Sequence, residues 1–263
     1  MFIGIDISKA TFDVAHLQGG KWRHACLDNE KAGFAKLCKL AGTGAHFVME
    51  ASGPYHLPLA MYLHGRGAKV SVVNPLSVKR YAQMRLERAK TDRKDARLIA
   101  EYGANQCPPV WAPPERALLE AQQVNTCAEG LKKQRTALSN QLGAFESSGI
   151  MDPQVGKSLR SLLAKLDREI KKLGARMQAL IGEKYPSTYK RLQGIPGIGP
   201  KTAAMLIVLT NNFEKFSHHK QLTAFVGFSP RVYQSGTSVK GRGHICKMGK
   251  AQIRKLLYMC SWT

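Results

Sequence analysis

The sequence lacks any apolar run of the roughly 20 residues that a membrane-spanning helix needs, and it has no basic and apolar leader at its start. Its cysteines are scattered without a CxxC pair, and its eight histidines are dispersed. A zinc site or a disulfide framework would need closer pairing. These absences predict a cytosolic protein with no membrane partner, no histidine-based metal site and reduced, structural cysteines.

Acidic residues are scarce in the last third of the chain. From Lys184 to Thr263 there are 13 Lys or Arg residues and one acid, Glu214, whereas the other 17 acids lie in the first 183 residues. The whole chain of 263 residues has 40 basic and 18 acidic residues and a formal net charge of +22. This excess indicates a polyanionic partner, nucleic acid above all. Carboxylate chemistry therefore belongs to the N-terminal part, and the last third is expected to bind phosphates.

The opening stretch from Phe2 to Val14, FIGIDISKATFDV, ends its first apolar run in an acid. Aliphatic residues alternate with small or acidic ones up to Asp6, which predicts a buried strand with a carboxylate at its end. A buried carboxylate is costly unless it is paired or binds a metal. Asp6 therefore requires partners elsewhere in the chain.

The N-terminal segments follow the order β-β-β-α-β-α-β-α. Strands are predicted at Phe2–Asp6, Thr11–Leu17, Lys21–Leu27, Ala45–Met49 and Ala68–Val73, and helices at Glu30–Leu40, Tyr55–Leu63 and, rich in Lys and Arg, Leu76 to about Gly103. This order is the plan of the ribonuclease H fold, an α/β fold in which helices flank a mixed sheet.

Four acids fall where that plan puts an active site. Asp6 ends the first strand, Glu50 ends the fourth, and Asp92 and Asp95 share one face of the helix after the fifth. Carboxylates from separate elements suit two Mg²⁺ ions about 4 Å apart, with Mn²⁺ as an alternative, in phosphoryl transfer on nucleic acid. Structural alternatives remain open: Glu50 could cap the next helix, and the helix acids could offset Lys90, Arg93, Lys94 and Arg97.

A proline-rich segment precedes two long apolar ladders. Cys107–Pro114, CPPVWAPP, has four prolines and cannot be helix interior. Beyond it, apolar residues recur at alternating threes and fours, with Arg135 at the one missing position, and a second ladder runs from Val155 to Leu180. Two heptad-like helices joined near Ser147–Pro153 are expected to form either a hairpin packed within one chain or an intersubunit coiled coil.

The third region opens with a glycine-rich turn, LQGIPGIGPKTAA, at Leu192–Ala204. Gly194, Gly197 and Gly199, followed by a helix start, predict the hairpin of a helix-hairpin-helix element. Such a hairpin lets backbone N–H groups approach a DNA phosphate, and the following helix N-terminus favours the anion. A purely structural turn is the alternative.

The last region holds Ser235 and Gly236 in a polar loop that has no acid nearby. Taken alone, Ser235 is typical of a turn residue. The last residues, Ser261–Thr263, fall within a pattern typical of a helix that is not complete. We therefore expect a further C-terminal portion.

Four motifs occur in order along nearly the whole chain: GIDISKATFDVA, FVMEASGPY, KTDRKDA, and SPRVYQSG with the later GRGHICKMGKAQIRKLLY. Together they resemble the Piv-type insertion-sequence transposases, the DEDD recombinases associated with a bridge RNA. The resemblance implies an amino-terminal domain similar to the RuvC Holliday-junction resolvases, with Asp6, Glu50, Asp92 and Asp95 as the metal-binding tetrad. It also implies that Ser235 is the nucleophile that joins the protein to a DNA end.

A serine hydroxyl needs activation, and Ser235 has no His-Asp relay in its own loop, so we expect metal assistance from the carboxylate domain. Ser238 and Ser229 are rival nucleophiles. Because a long helical segment separates the two halves, we expect the tetrad and the serine to meet between different protomers of a dimer or tetramer.

The predicted organisation has four parts. Residues 1–106 form an α/β ribonuclease H/RuvC-like catalytic domain, 107–116 a linker, 117–185 a helical coiled-coil segment, and 186–263 a basic, mainly α-helical domain with the helix-hairpin-helix element. Donor and target DNA and a structured guide RNA are the expected partners, held mainly by their backbones because aromatic residues make up only 8% of the chain. The residues predicted to bind nucleic acid are Lys79, Arg80, Arg85, Arg88, Lys90, Arg93, Lys94, Gly197, Gly199, Lys201, Arg231, Lys240, Arg242, Lys247 and Lys250.

The predicted activity is Mg²⁺-dependent DNA cleavage and strand exchange by an insertion-sequence transposase of the bacterial cytosol or nucleoid. One alternative is a RuvC-like nuclease or junction resolvase in which water attacks, and another is a non-catalytic nucleic-acid scaffold. The opening GIDISKATFDV is also similar to that of actin-like sugar kinases. No later glycine-rich phosphate loop supports a kinase, and a net charge of +22 suits a small nucleotide poorly.

Overall fold

The computed structural model describes residues 1–42, 44–51, 53–86, 91–231, 234–235, 239–241, 243–246 and 248–262, with residues 234–235 and 239–240 described by their backbone alone. Contacts within the chain divide it into two compact units, Met1–Pro113 and Pro114–Thr263. Each unit has its own apolar core.

A five-stranded mixed sheet forms the centre of the first unit. Its strands are β1 (Phe2–Ile7), β2 (Thr11–Gln18), β3 (Lys21–Asp28), β4 (His46–Glu50) and β5 (Lys69–Val73). The spatial order is β3-β2-β1-β4-β5. The first three strands are antiparallel neighbours, while β1, β4 and β5 run parallel to one another. The five predicted strands are thus present, in a single sheet.

Helices cover both faces of this sheet. They are α1 (Lys31–Ala41), α2 (Leu57–His64), α3 (Pro75–Met84) and α4 (Asp92–Gln106). Ile3, Ile5 and Ile7 of β1 point into a core with α1 and α2, whereas Val48 of β4 points the opposite way, into a core with α3 and α4. The predicted α/β character of the N-terminal part is confirmed.

The prediction of a single basic helix from Leu76 to about Gly103 is wrong, because α3 and α4 are separate helices. Leu86 follows α3 with a φ of 56°, a left-handed conformation that cannot continue an α-helix. A new helix then begins after Thr91, whose hydroxyl accepts a hydrogen bond from the backbone N–H of Lys94 at 3.3 Å. Asp92 and Asp95 therefore lie in the first turn of α4 rather than in a helix interior.

The proline-rich segment packs against the first unit. The backbone N–H of Trp111 donates to the carbonyl of Val70 at 2.7 Å, and the buried Ser71 hydroxyl donates to the carbonyl of Pro109 at 2.8 Å. The Trp111 side chain packs against the core beneath α1 and α2. By these contacts, the segment predicted as a linker belongs to the first unit as far as Pro113.

The second unit is mostly helical, as predicted. Its helices are α5 (Arg116–Ser147), α6 (Pro153–Lys184), α7 (Pro186–Gln193), α8 (Pro200–Thr210), α9 (His219–Val226) and α10 (Ala251–Cys260). Between α9 and α10, the residues that the structure describes include the two-residue strands β6 (Pro230–Arg231), β7 (Gln234–Ser235), β8 (Val239–Lys240) and β9 (His244–Ile245). Nearly every apolar residue of α8 is buried, which places this helix at the centre of the unit.

The two long helices α5 and α6 form a hairpin. Near its base, Leu118 and Ile181 share a core with Ile207 of α8. Further out, the guanidinium of Arg135 pairs with Asp167 of α6 at 2.7 Å, which explains why a charged residue interrupts the apolar ladder. Because both side chains are exposed, this pair adds little stability.

Across the parts of the chain that the structure describes, no helix is both long enough and apolar enough to cross a membrane.

Candidate active site

Helix α4 lies directly on strand β1, and glycines make this approach possible. A Cβ atom on Gly4 would overlap the carbonyl oxygen of Ala96 and the backbone nitrogen of Ala100. A Cβ on Gly103, near the end of α4, would lie 3.0 Å from the side chain of Phe2. The helix therefore runs opposite to the strand, and its N-terminal turn lies toward the end of β1 that carries Asp6.

Asp6 shares the α4 side of the sheet with Gly4, because side chains two residues apart in a strand point to the same face. It is half-buried, while the isoleucines on either side of it are buried in the opposite core. The strand pattern thus places the Asp6 carboxylate beneath the first turn of α4. Asp6 is the acid for which the sequence predicted partners elsewhere in the chain.

Glu50 ends the strand next to β1. Strands β1 and β4 are parallel, and Ile5 is aligned with Met49, so Asp6 and Glu50 are the next residues along the two strands. Parallel strands bring their carboxyl ends to the same edge of a sheet. Glu50 is half-buried and is a residue of β4 itself, paired with Val73 of β5.

Asp92 and Asp95 begin α4. The backbone N–H of Asp95 donates to the carbonyl of Thr91 at 2.8 Å, which closes the first turn. Unpaired backbone N–H groups give a helix N-terminus a partial positive charge, so it tolerates acids well. Asp92 is exposed and Asp95 is half-buried, on the side nearer the sheet.

The electrostatics of Asp6 reflect this convergence. Burial is the largest cause that raises the pKa of Asp6 from 3.8 to about 6. The remaining causes are the negative charges of four carboxylates, in decreasing order Asp95, Asp92, Glu50 and Asp13. The structure therefore brings Glu50, Asp92 and Asp95 close enough to Asp6 for their charges to act on it.

The donor chemistry of this cluster fits a hard divalent cation. Its members are carboxylates from two strands and one helix, and a 2+ charge would relieve the repulsion that raises the pKa of Asp6. Within the described residues, however, no three His, Cys, Asp or Glu side chains lie close enough together to form a ready-made metal centre.

The main cations of this face have other partners. Arg97 donates to Glu101 at 2.9 Å and lies 4.8 Å from the centre of the Trp22 ring. Arg85 pairs with the other oxygen of Glu101 at 3.2 Å. Arg97 is therefore engaged by Glu101 and by the Trp22 ring.

Exposed cations occur near the acidic cluster and on α3. Lys79 and Arg80 lie on α3, Arg85 ends it, and Arg93 and Lys94 lie in the first turn of α4. All five are exposed. Two further predicted phosphate ligands, Arg88 and Lys90, lie outside the described residues.

The glycine-rich turn joins α7 to α8, at the position of the predicted helix-hairpin-helix element. Gly197 has a φ of +83°, which L side chains rarely adopt, and Gly199 precedes α8 in an extended conformation. A Cβ on Gly199 would meet nothing within 4 Å, so the backbone here faces open space. Lys201 in the first turn of α8 is exposed. This geometry allows a phosphate to approach the N–H groups of the turn and the helix start.

Ser235 lies in a short antiparallel ladder rather than in an irregular loop. It belongs to β7 and pairs with Val239 of β8, next to the pair of Gln234 with Lys240. Arg231 in β6 is exposed and is aligned with His244 of β9, and the exposed Lys250 immediately precedes α10. The predicted phosphate ligands Arg242 and Lys247, and the rival Ser238, lie outside the described residues.

The sequence interpretation overlooked Asp13 and its partner His24. The ring nitrogen Nε2 of His24 lies 2.6 Å from Oδ1 of Asp13, and both side chains are largely buried. Asp13 is the residue opposite Asp6 on β2. The period-two alternation of the opening hairpin contains this information, because it places Asp13 on the same face as Asp6.

A cluster of acids at the edge of an α/β sheet, followed by a helical unit with a large excess of cations, fits an enzyme that acts on nucleic acid. Two family models match the chain: one described as Transposase at residues 3–145, and one described as Transposase IS116/IS110/IS902 family at residues 189–263. The chain belongs to the IS110 family of DEDD transposases, as its motifs predicted.

Curated relatives agree with the family models. The chain is 32% identical to a pilin gene-inverting protein of Moraxella lacunata, over 98% of this chain and 81% of the relative. The corresponding protein of Moraxella bovis gives the same identity and coverage. A transposase for insertion sequence element IS1111A of Coxiella burnetii is 24% identical over 97% of this chain and 75% of its own length. The similarity thus spans both units.

Proposed function

We propose that the protein cleaves and rejoins DNA strands during transposition or inversion, using the acidic tetrad with divalent cations and Ser235 as a nucleophile. The observation that carries the proposal is the convergence of Asp95, Asp92 and Glu50 on Asp6. Acids that repel one another at a sheet edge are costly, so their clustering favours a cation-binding role over a purely structural one.

We propose a ribonuclease H/RuvC-like fold for the first unit. The order β3-β2-β1-β4-β5, with β2 antiparallel to its neighbours and β1, β4 and β5 parallel, supports it. Asp6 and Glu50 lie at the carboxyl edge of adjacent parallel strands, and α4 brings two more acids to that edge. Two Mg²⁺ ions, or Mn²⁺, bound there would stabilise the charges that develop when a phosphodiester is cleaved.

Ser235 is proposed as the group that attacks DNA. Its Oγ would form a bond to phosphorus and release one DNA hydroxyl end, and the hydroxyl of another strand would later displace Ser235 and restore the phosphodiester. A covalent protein–DNA ester conserves the energy of the cleaved bond. The family match over residues 189–263 and the exposed Arg231 and Lys250 near Ser235 in sequence support this role.

Capture of the covalent adduct tests the nucleophile. The purified full chain is incubated with Mg²⁺ and DNA that carries the element ends, then denatured, and labelled DNA is followed on a denaturing gel. Ser235→Ala is expected to abolish the adduct and retain DNA binding, while the matched variant Ser229→Ala keeps the adduct. An adduct that persists in Ser235→Ala and disappears in Ser238→Ala would reassign the nucleophile. DNA cleaved with no attached protein would instead indicate a resolvase-like nuclease that uses water.

A structured guide RNA is part of the proposal. The net charge of +22 and the low aromatic content suit backbone contacts to DNA and RNA more than reading of individual bases. Expression together with the non-coding DNA that flanks the gene, followed by sequencing of co-purified RNA, tests this point. Recovery of one discrete flanking transcript supports a guide, and recovery of bulk cellular RNA alone contradicts it.

A further inference from the structure

Asp13 faces Asp6 across two antiparallel strands. The two residues are aligned in the β1–β2 ladder, and side chains at such positions project to the same face with Cβ atoms about 4.5–5.5 Å apart. Like charges placed directly opposite each other destabilise a sheet. Two acids at these positions therefore lower the local stability of the hairpin. Residues that lower local stability in this way concentrate at functional sites.

His24 holds the Asp13 carboxylate in place. It lies on β3, where the aligned residue of β2 is Ala15, so it is a diagonal neighbour of Asp13 on the same face. Its Nε2 is 2.6 Å from Asp13 Oδ1, with the two side chains 22% and 15% exposed. A hydrogen bond at this depth fixes the carboxylate beside Asp6 and limits its movement toward the other acids.

We infer that Asp13, held by His24, is a positioning residue of the acidic site: it adds negative potential at Asp6 and so strengthens the binding of divalent cations there. This inference rests on the proposed function, because it takes the tetrad as the cation site. The charge of Asp13 acts on Asp6 together with those of the tetrad. An uncharged acceptor would satisfy His24 equally well, so hydrogen bonding alone does not require an acid at this position.

The test separates the charge of Asp13 from its hydrogen bond. Asp13→Asn keeps an acceptor oxygen for His24 and removes the charge. His24→Leu removes the donor, and His24→Gln restores a side-chain N–H. Asp28→Asn removes an exposed acid from the end of β3 as the matched control. Binding of Mn²⁺ to the full-length protein is measured by electron paramagnetic resonance of the free ion at neutral pH, and the melting temperature is measured in EDTA.

Asp13→Asn is expected to weaken Mn²⁺ binding by about tenfold, the size of effect seen for residues that support metal ligands. It is also expected to raise the melting temperature in EDTA, because a like-charge contact is lost. His24→Leu should weaken Mn²⁺ binding as well, and His24→Gln and Asp28→Asn should preserve it.

Three outcomes overturn the inference. Wild-type Mn²⁺ affinity in Asp13→Asn, with affinity lost in Asp6→Asn, rejects the role of Asp13 and leaves the proposed tetrad intact. A lower melting temperature of Asp13→Asn in EDTA would show that the charge of Asp13 stabilises the fold, as an ion pair with His24 would, and does not oppose Asp6. Equal Mn²⁺ binding by wild type and Asp6→Asn would remove the cation site itself, and with it both proposals.

Discussion

Gly4 of β1 and Ala96 of α4 are in backbone contact, because a Cβ atom on Gly4 would overlap the Ala96 carbonyl oxygen. This contact sets the distance between the strand that carries Asp6 and the helix that carries Asp92 and Asp95. The acidic cluster therefore depends on a residue that has no side chain and takes no part in chemistry.

Gly4→Ala is the first prediction. The added methyl group must push α4 away from the sheet, and overpacking of this kind costs about 1–3 kcal/mol. Because the atoms it meets are backbone, which cannot rotate away, the expected loss is about 3 kcal/mol in the free energy of unfolding. Urea denaturation measures it in a Trp262→Phe background, which leaves Trp22 and Trp111 of the first unit as the fluorescent reporters.

Gly130→Ala is the matched control for this substitution. Gly130 lies within α5, and a Cβ there would meet nothing within 4 Å. Alanine should therefore stabilise the helix by about 0.5–1 kcal/mol. Gly130 belongs to the second unit, so this gain is measured by circular dichroism and not by the fluorescence of Trp22 and Trp111. Equal stability of Gly4→Ala and wild type would show that α4 does not rest on β1 as closely as described.

A second prediction concerns the hairpin between α7 and α8. Gly197→Ala forces an L side chain to a φ of +83° and should cost about 1–2 kcal/mol of stability. Gly199→Ala places a methyl group in open space at ordinary φ, so the fold should be unaffected. If a phosphate approaches the backbone at Gly199, that methyl group blocks it, and Gly199→Ala should weaken DNA binding in a fluorescence anisotropy titration. Unchanged affinity would favour a purely structural turn.

A third prediction addresses the outer part of the α5–α6 hairpin. Phe145, Val155 and Leu162 are 36%, 41% and 48% exposed, although they belong to the apolar ladders. Exposed apolar side chains on both helices favour a helical partner, and we propose a second copy of this chain. Leu162→Glu should lower the molar mass measured by light scattering after size-exclusion chromatography, whereas Ser161→Glu at the adjacent exposed position should not. A monomeric wild type would support ordinary packing within one chain.

How far the sequence predicts this structure depends on the kind of signal. Alternation in FIGIDI reports burial directly, and the apolar run Ala45–Met49 ends at Glu50. The strands and the edge positions of Asp6 and Glu50 could therefore be predicted. The division between α3 and α4 could not, because it rests on the left-handed conformation of Leu86, and leucine has no preference for that conformation. Alternation in the opening hairpin places Asp13 on the same face as Asp6, but its position directly opposite Asp6 depends on the strand register, which alternation alone does not define.

A fourth prediction follows from the pKa of Asp6, which the fold raises from 3.8 to about 6. A carboxyl group whose pKa is higher in the folded than in the unfolded protein ionises more readily when the protein unfolds. Its ionisation therefore lowers the stability of the folded protein. The wild type should therefore lose stability as the pH rises from about 4 to about 6, and the loss should be complete above that range. Asp6→Asn cannot ionise and should avoid this loss.

The difference in melting temperature between Asp6→Asn and wild type, measured in EDTA, should therefore increase through this pH window and then remain constant. Glu30→Gln, which removes an exposed acid at the start of α1, should show no such increase. Adding Mg²⁺ at neutral pH should stabilise the wild type and reduce the difference, because a bound cation offsets the repulsion among the acids. A difference that is independent of both pH and Mg²⁺ would show that Asp6 is neither electrostatically strained nor part of a cation site.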